Sequence, residues 1–327
     1  MNGISKSLAV VIAIAGLSCV SAAPSLAQDA WPQKPIRFIV PFPPGGGTDF
    51  VARLVAKFLQ EKLNQTVIVE NRGGANGAIG LMTVKQSPAD GYTFSFTSDT
   101  PLTVNPWLYK DLTYDPLKDF IPVASAVRLP GMLAAHPSFP ANNIAELIAL
   151  AKEKPGSINY ASAGVGNFSH LAMELFSGAT GVKLQHVPYK GTAPAAQALL
   201  SGEVQVGFNN VQTLLQFVQE GKLKALGVAE PKRMPQFPNF PAVAETVPGF
   251  EMAPWVGIVA AAGTPQPIID RLSAATLAVM GDPAIAKQFT DQQLTVMALA
   301  KDDFGKLIKS DLAKWHKVTA DADIKME

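Results

Sequence analysis

From Ile36 onward the chain alternates short apolar runs with stretches of helical periodicity, and it does so in two separate series. A short apolar run needs cover on both faces, and an amphipathic helix offers one apolar stripe. Joined in alternation they build βα units around a parallel sheet. In the first series, Ile36 to Val40 reads as a strand. Phe50, Val51, Leu54, Val55, Phe58 and Leu59 then recur at helical spacing as far as Leu63, with Arg53, Lys57 and Lys62 on the other side. Thr66 to Glu70 is a second strand and Asn76 to Gln86 a second helix. Pro88-Ala89-Asp90-Gly91 turns the chain into a strand from Tyr92 to Thr97.

The second series follows an apolar segment, Val123 to Ala135, that Pro130-Gly131 interrupts. Helices expected over 144–154, 167–179, 194–201 and 211–220 alternate with strands over 157–161, 183–187, 204–208 and 223–228. Arg233 to Phe250 is proline-rich with little periodicity, so it reads as a surface return path. Trp255 to Ala260 is again extended, and 267–280 and 302–318 read as terminal helices that return to the first series. A chain of 327 residues is too long for one comfortable core. The expected fold is therefore α/β with two doubly wound sheets and two chain crossings. The first domain takes 28–128 with 251–327, and the second takes 129–250.

Residues 1–27 read as an export signal. Lys6 is the positive start, Leu8 to Val20 an apolar core too short to anchor in a membrane, and Ser25-Leu26-Ala27 a small-residue cleavage site. Cleavage after Ala27 sends the protein to the periplasm. Cys19, the one cysteine, lies in this segment; Gly16-Leu17-Ser18-Cys19 lacks the leucine usual three residues before a lipidated cysteine. The mature chain then has no disulfide and no thiolate chemistry. It keeps 26 basic and 26 acidic residues, and this neutrality argues against a nucleic-acid partner. No polybasic block suits a membrane surface. The expected state is a monomer without cofactor or metal.

Two glycine-rich loops each join a strand to a helix: Pro41-Phe42-Pro43-Pro44-Gly45-Gly46-Gly47-Thr48-Asp49 and Ser162-Ala163-Gly164-Val165-Gly166-Asn167. Each would offer free backbone N–H groups at a helix N-terminus, where the aligned peptide dipoles favour an anion. Together they suggest two halves of a carboxylate trap. In open α/β sheets ligands bind beyond the carboxyl ends of the strands. The other such ends are Ser98-Asp99-Thr100, Tyr189-Lys190-Gly191-Thr192 and Asn209-Asn210. Small hydroxyls, amides and bare backbone suit binding better than catalysis. The plainer readings stand beside this one: a glycine run can be only a tight turn, Thr48 and Asn167 can be helix caps, and the helix dipole accounts for Asp49. Phe42 and Phe168 can line an apolar pocket or belong to the core.

His136, His170, His186 and His316 show no metal-ligand spacing. Ser98-Asp99 with His170 could be drawn as a hydrolase triad, but no Gly-x-Ser-x-Gly elbow is present. Neither loop carries a nucleotide-binding fingerprint.

These stretches also carry a resemblance. Val40 to Asp49 through Ala52-Arg53, Val69-Glu70-Asn71-Arg72-Gly73-Gly74-Ala75-Asn76-Gly77, Pro88 to Thr93, Ser162 to Gly166 with His170-Leu171, and Val187-Pro188-Tyr189-Lys190-Gly191 with Pro194-Ala195 resemble the periplasmic receptors of the tripartite tricarboxylate transporter family. The resemblance implies a two-lobed, hinged, type II periplasmic binding protein. It would capture a small organic carboxylate, a dicarboxylate or an aromatic acid, and deliver it to membrane permease subunits. It also implies that the loops 43–48 and 162–167 clasp the ligand carboxylate. Where that family often has aspartate, this chain has Asn209, whose amide can donate or accept. The expected ligand-binding residues are Phe42, Gly46, Gly47, Thr48, Ser98, Asp99, Ser162, Ala163, Gly164, Gly166, Asn167, His170 and Asn209. The other readings are a receptor that presents its solute to a membrane sensor kinase, and a secreted hydrolase.

Overall fold

The computed structural model describes residues 31–321 and residue 324, so the expected signal segment, Cys19 included, lies outside the described residues. The chain forms β1 (Ile36–Val40), α1 (Gly47–Leu63), β2 (Val67–Asn71), α2 (Ala78–Lys85), β3 (Thr93–Ser98), α3 (Asn105–Leu108) and β4 (Phe120–Arg128). It then crosses to β5 (Gly131–Ala135), α4 (Ile144–Glu153), β6 (Asn159–Ser162), α5 (Phe168–Thr180), β7 (Gln185–Pro188), α6 (Thr192–Ser201), β8 (Val206–Asn210), α7 (Val211–Gln219) and β9 (Lys224–Val228). It returns as β10 (Trp255–Ala261), α8 (Gln266–Met280), α9 (Pro283–Asp291), β11 (Thr295–Val296) and α10 (Lys301–Asp321). One sheet has the order β11-β4-β10-β3-β1-β2 and the other β7-β6-β8-β5-β9.

The sheets are mixed where parallel ones were expected. β1 is parallel to β2 and β3, and β6 to β7 and β8, but β10 runs antiparallel to β3 and β4, and β5 antiparallel to β8 and β9. The two crossings explain this. A strand within a βα series runs toward the junction between the sheets, whereas β5 and β10 start at the junction and run away from it. The carboxyl ends of the βα strands of both sheets consequently face one another. That opposition is what creates a cleft.

The crossings are Leu129-Pro130 and the segment between β9 and β10, and backbone hydrogen bonds tie them together. Leu129 N donates to Pro254 O at 2.8 Å, Ala229 N to Gly131 O at 2.8 Å and Met252 N to Ala229 O at 3.0 Å. The apolar segment 123–135 thus supplies two strands to two sheets, because Pro130 cannot donate within a ladder.

Two expectations need correction. The return segment 233–250 does not merely run over the surface: Met234, Ala242, Val243, Val247 and Phe250 are buried in the cores around the second sheet. Its proline content hid an apolar anchor pattern that no helical or strand period organises. The last helix also does more than return to the first sheet. Phe304, Ile308 and Leu312 pack with Ile39, Leu81 and Trp255, while Trp315 and Ile324 join the core of the second lobe beside Phe176 and Phe250. α10 therefore touches both lobes. α3, α9 and β11 were not foreseen; each is too short or too polar to show a period. No helix among the described residues is long and apolar enough to cross a membrane.

Candidate functional site

A cleft of about 610 Å³ opens where the strand ends meet. The first lobe contributes Phe42, Gly46, Gly47, Thr48, Ser98 and Asp99, and the second contributes Asn167, Phe168 and Asn209. Eight of the thirteen expected residues are thus brought together: these nine without Phe168. Phe42 and Phe168 satisfy both readings of them, since each lines the cleft and also packs against its own lobe's core, Phe168 edge-on to Phe208 at 5.7 Å.

α1 starts at Gly47 with Gly46 as its cap residue, and no side chain caps it. The first-turn amides of Gly47, Thr48 and Asp49 have no acceptor within the helix, so this end stays open to an anion. Thr48 is therefore inside the helix and is not its cap. Asp49 does more than answer the dipole. Its buried carboxylate accepts from Gly45 N at 2.9 Å, from Asn71 Nδ2 at 2.9 Å and from Arg53 Nε at 3.1 Å, which folds the glycine loop back on itself. Burial alone would raise its pKa; the hydrogen bonds from Arg53, Gly45 and Asn71 outweigh that and hold it below the usual value.

The starts of α5, α6 and α7 also reach the cleft, through Asn167, through Gly191 and Thr192, and through Asn210. Asn167 caps α5, its Oδ1 accepting from Ser169 N at 3.2 Å. Four helix N-termini around one cavity make a field that favours negative charge without a ring of arginines. Among the described residues, Lys190 is the one cationic residue of the lining and Asp99 the one acidic residue.

The remaining expected residues, Ser162, Ala163, Gly164, Gly166 and His170, do not line the cleft, and the amides of the second loop are already engaged. Ala163 N donates to Ser169 Oγ at 2.8 Å, Gly164 N to Ser162 Oγ at 3.2 Å and Gly166 N to His170 Nδ1 at 3.1 Å. Beneath them His170 stacks on His186 at 4.0 Å, and Ser162 Oγ lies 2.5 Å from His186 Nε2. Burial pushes both imidazoles down to about 4, with His186 adding to the effect on His170, so both are neutral near pH 7. Neutral His170 can accept from Gly166; a protonated ring could not. The drawn triad of Ser98, Asp99 and His170 has no common space, since His170 faces this loop and not the cleft.

Residues 51–324 match the model of the tripartite tricarboxylate transporter family receptor. The chain belongs to that family. A receptor of this family is a solute-binding protein of the periplasmic binding class, not an enzyme, and its two-lobed α/β fold recurs in solved relatives. BugT of Bordetella pertussis is 35% identical over 322 residues, spanning 98% of this chain and 97% of its own length. A protein of the tcbD-tcbE intergenic region of Pseudomonas sp. strain P51 is 36% identical over 292 residues, 89% of this chain and 87% of that one. Among solved structures, R. palustris Rpa4515 with adipate has a TM-score of 0.82 at 33% identity, covering 90% of this chain and all 100% of that one. MatC of Rhodopseudomonas palustris with bound malate has a TM-score of 0.76 at 31% identity, covering 88% of this chain and 99% of that one.

In this receptor the cleft includes residues absent from the expected set. Lys190, Gly191, Thr192 and Asn210 stood at strand ends in the sequence but were not carried into the site. Asn76 was read only as a helix start. It sits in a run of four left-handed residues, Gly74 (φ 129°), Ala75 (φ 47°), Asn76 (φ 47°) and Gly77 (φ 91°), and this run lines the cleft at Asn76. The fully buried Asn105 holds it, its Nδ2 donating to Asn76 O at 3.2 Å. The pair of glycines around Ala75-Asn76 was the available signal. Because alanine is disfavoured at such φ, Ala75→Gly should raise stability in chemical denaturation by up to about 1 kcal/mol, offset in part by glycine's unfolded-state entropy. A loss of stability would show that the alanine methyl is needed for packing.

Proposed function

We propose that this receptor captures a small dicarboxylate between its lobes and hands it to the permease subunits of a tripartite tricarboxylate-type transporter. The supporting observation is the cleft itself: the uncapped N-terminus of α1 faces the starts of α5, α6 and α7 across a polar cavity of about 610 Å³. The neighbours with adipate and with malate agree with that chemistry. Phe42 and Phe168 favour one second reading, an aromatic acid with its ring between them. The lobes are taken as 28–128 with 251–327 and as 129–250. Ligand closes them about Leu129-Pro130 and the paired return segment, as a hinge protein does around a site split between domains. Export by the segment 1–27 delivers the receptor to the periplasm, where it acts as a monomer.

The test is thermal and calorimetric. A bound dicarboxylate at a hundredfold excess over Kd should add about 2.7 kcal/mol of stability, and the dimethyl ester of the same acid should add none. Equal shifts from acid and ester would remove the anion-trap reading. Benzoate-type acids stabilising where succinate, malate and adipate do not would favour the aromatic reading.

A further inference from the structure

We propose that Asp99 enters ligand binding as a neutral carboxylic acid, donating a hydrogen bond to one carboxylate of a bound dicarboxylate, so that above neutral pH binding draws up to one proton from solvent. This rests on the dicarboxylate reading of the cleft and adds to it a residue-level selection of charge. Asp99 stands at the carboxyl end of β3, is buried to 6% exposure, and is the one acid of the cleft lining among the described residues. Its Oδ1 accepts both donors of Thr100, the amide at 2.7 Å and the hydroxyl at 3.2 Å. With both Thr100 donors on Oδ1, the proton of the acid form belongs on Oδ2.

The charges around it argue the same way. From α10, Asp311 opposes its ionisation and Lys314 favours it, and Lys314 serves both acids. Asp311 also accepts from Trp255 Nε1 at 2.7 Å, and Lys314 donates to Glu251 O at 2.9 Å, so the lysine is shared further. Lys190 belongs to the other wall of the cleft. Arg128 also acts on Asp311 and Lys314 but is paired with Glu251, so the three acids Asp99, Asp311 and Glu251 face two cations and the cluster carries an excess negative charge. A dianion arriving beside them adds to that excess, and a proton on Asp99 turns one repulsion into a hydrogen bond. Burial, with Asp311 second, pushes Asp99 up to about 7 before any ligand arrives, so the proton is available near neutrality.

The experiment is isothermal titration of the full mature receptor with succinate, malate and adipate from pH 6 to pH 9, each in two buffers of different ionisation enthalpy. For whichever acid binds, Kd should rise toward tenfold per pH unit above neutrality, and proton uptake should approach one per ligand at pH 8. Asp99→Asn keeps a donor at the same place without titrating. It should bind with an affinity that is flat across this range and without the proton uptake. A parent affinity independent of pH, or the same pH slope in Asp99→Asn as in the parent, overturns the role of Asp99 alone. Failure of all three acids to bind at pH 6 overturns the dicarboxylate reading, and this proposal with it.

Discussion

Gly47→Val is expected to cost at least about a hundredfold in ligand affinity, roughly 2.7 kcal/mol, in a protein that still folds. Gly47 is the first residue of α1, and its amide is one of the open donors at the cleft. A Cβ there would lie 2.5 Å from Leu129 Cδ2, so even alanine would displace the leucine that stands at the first crossing between lobes. Valine adds two more methyl groups at the same place. It both blocks close backbone approach and wedges the crossing. Calorimetry reports the binding, and circular dichroism shows whether the helix survives. Folded Gly47→Val that binds as tightly as the parent would place the site away from α1. Gly164→Val should behave differently, although both glycines looked alike as residues of the trap. A Cβ at Gly164 meets only Tyr189 O at 3.5 Å, but φ of +125° is hostile to valine. Its effect is strain in the second loop, about 1–3 kcal/mol of stability, with binding affected only through that loop.

Asp49→Ala should lower stability by about 2–4 kcal/mol and weaken ligand binding as well. The substitution empties a buried acceptor site that Gly45 N, Asn71 Nδ2 and Arg53 all use, leaving donors of the first loop without partners. Arg53 is half exposed and can turn to water, which limits the loss. Asp49→Asn keeps the shape and one acceptor oxygen, so it should retain part of that stability. The sign of the pH dependence follows from the direction of the shift. Because the folded state holds Asp49 below its usual pKa, its contribution is present in full above the unfolded value near 4 and is lost as pH falls through the lower folded value. Denaturation of parent and variant should therefore converge in acid. A gap that stays constant between pH 7 and pH 3 would show that the carboxylate charge contributes nothing.

The role of Asp49 marks where local reading stops. Its place in the first turn of α1 was visible in the sequence and suited a helix dipole. Its partner Asn71 lies 22 residues away at the end of β2, and no local pattern connects them. The second loop shows the same boundary from the other side. Its glycines and its helix cap Asn167 were legible, because they answer to local backbone geometry. That Ser162, Ser169 and His170 occupy its amides was not, since this depends on how α5 sits on β6.

The sequence by itself determined the α/β class, the strands and helices with strong periods, the two series with their crossings, and the first glycine loop that borders the cleft. These follow from hydrophobic period, turn chemistry and glycine placement, which act over a few residues. Only the tertiary structure decided that β5 and β10 run against their neighbours, that α10 spans both lobes, and that Asn76, Lys190 and Asn210 share a cavity with Gly47. Those outcomes depend on which surfaces are left to be buried once the local elements exist, and that is a property of the whole chain, not of any window in it.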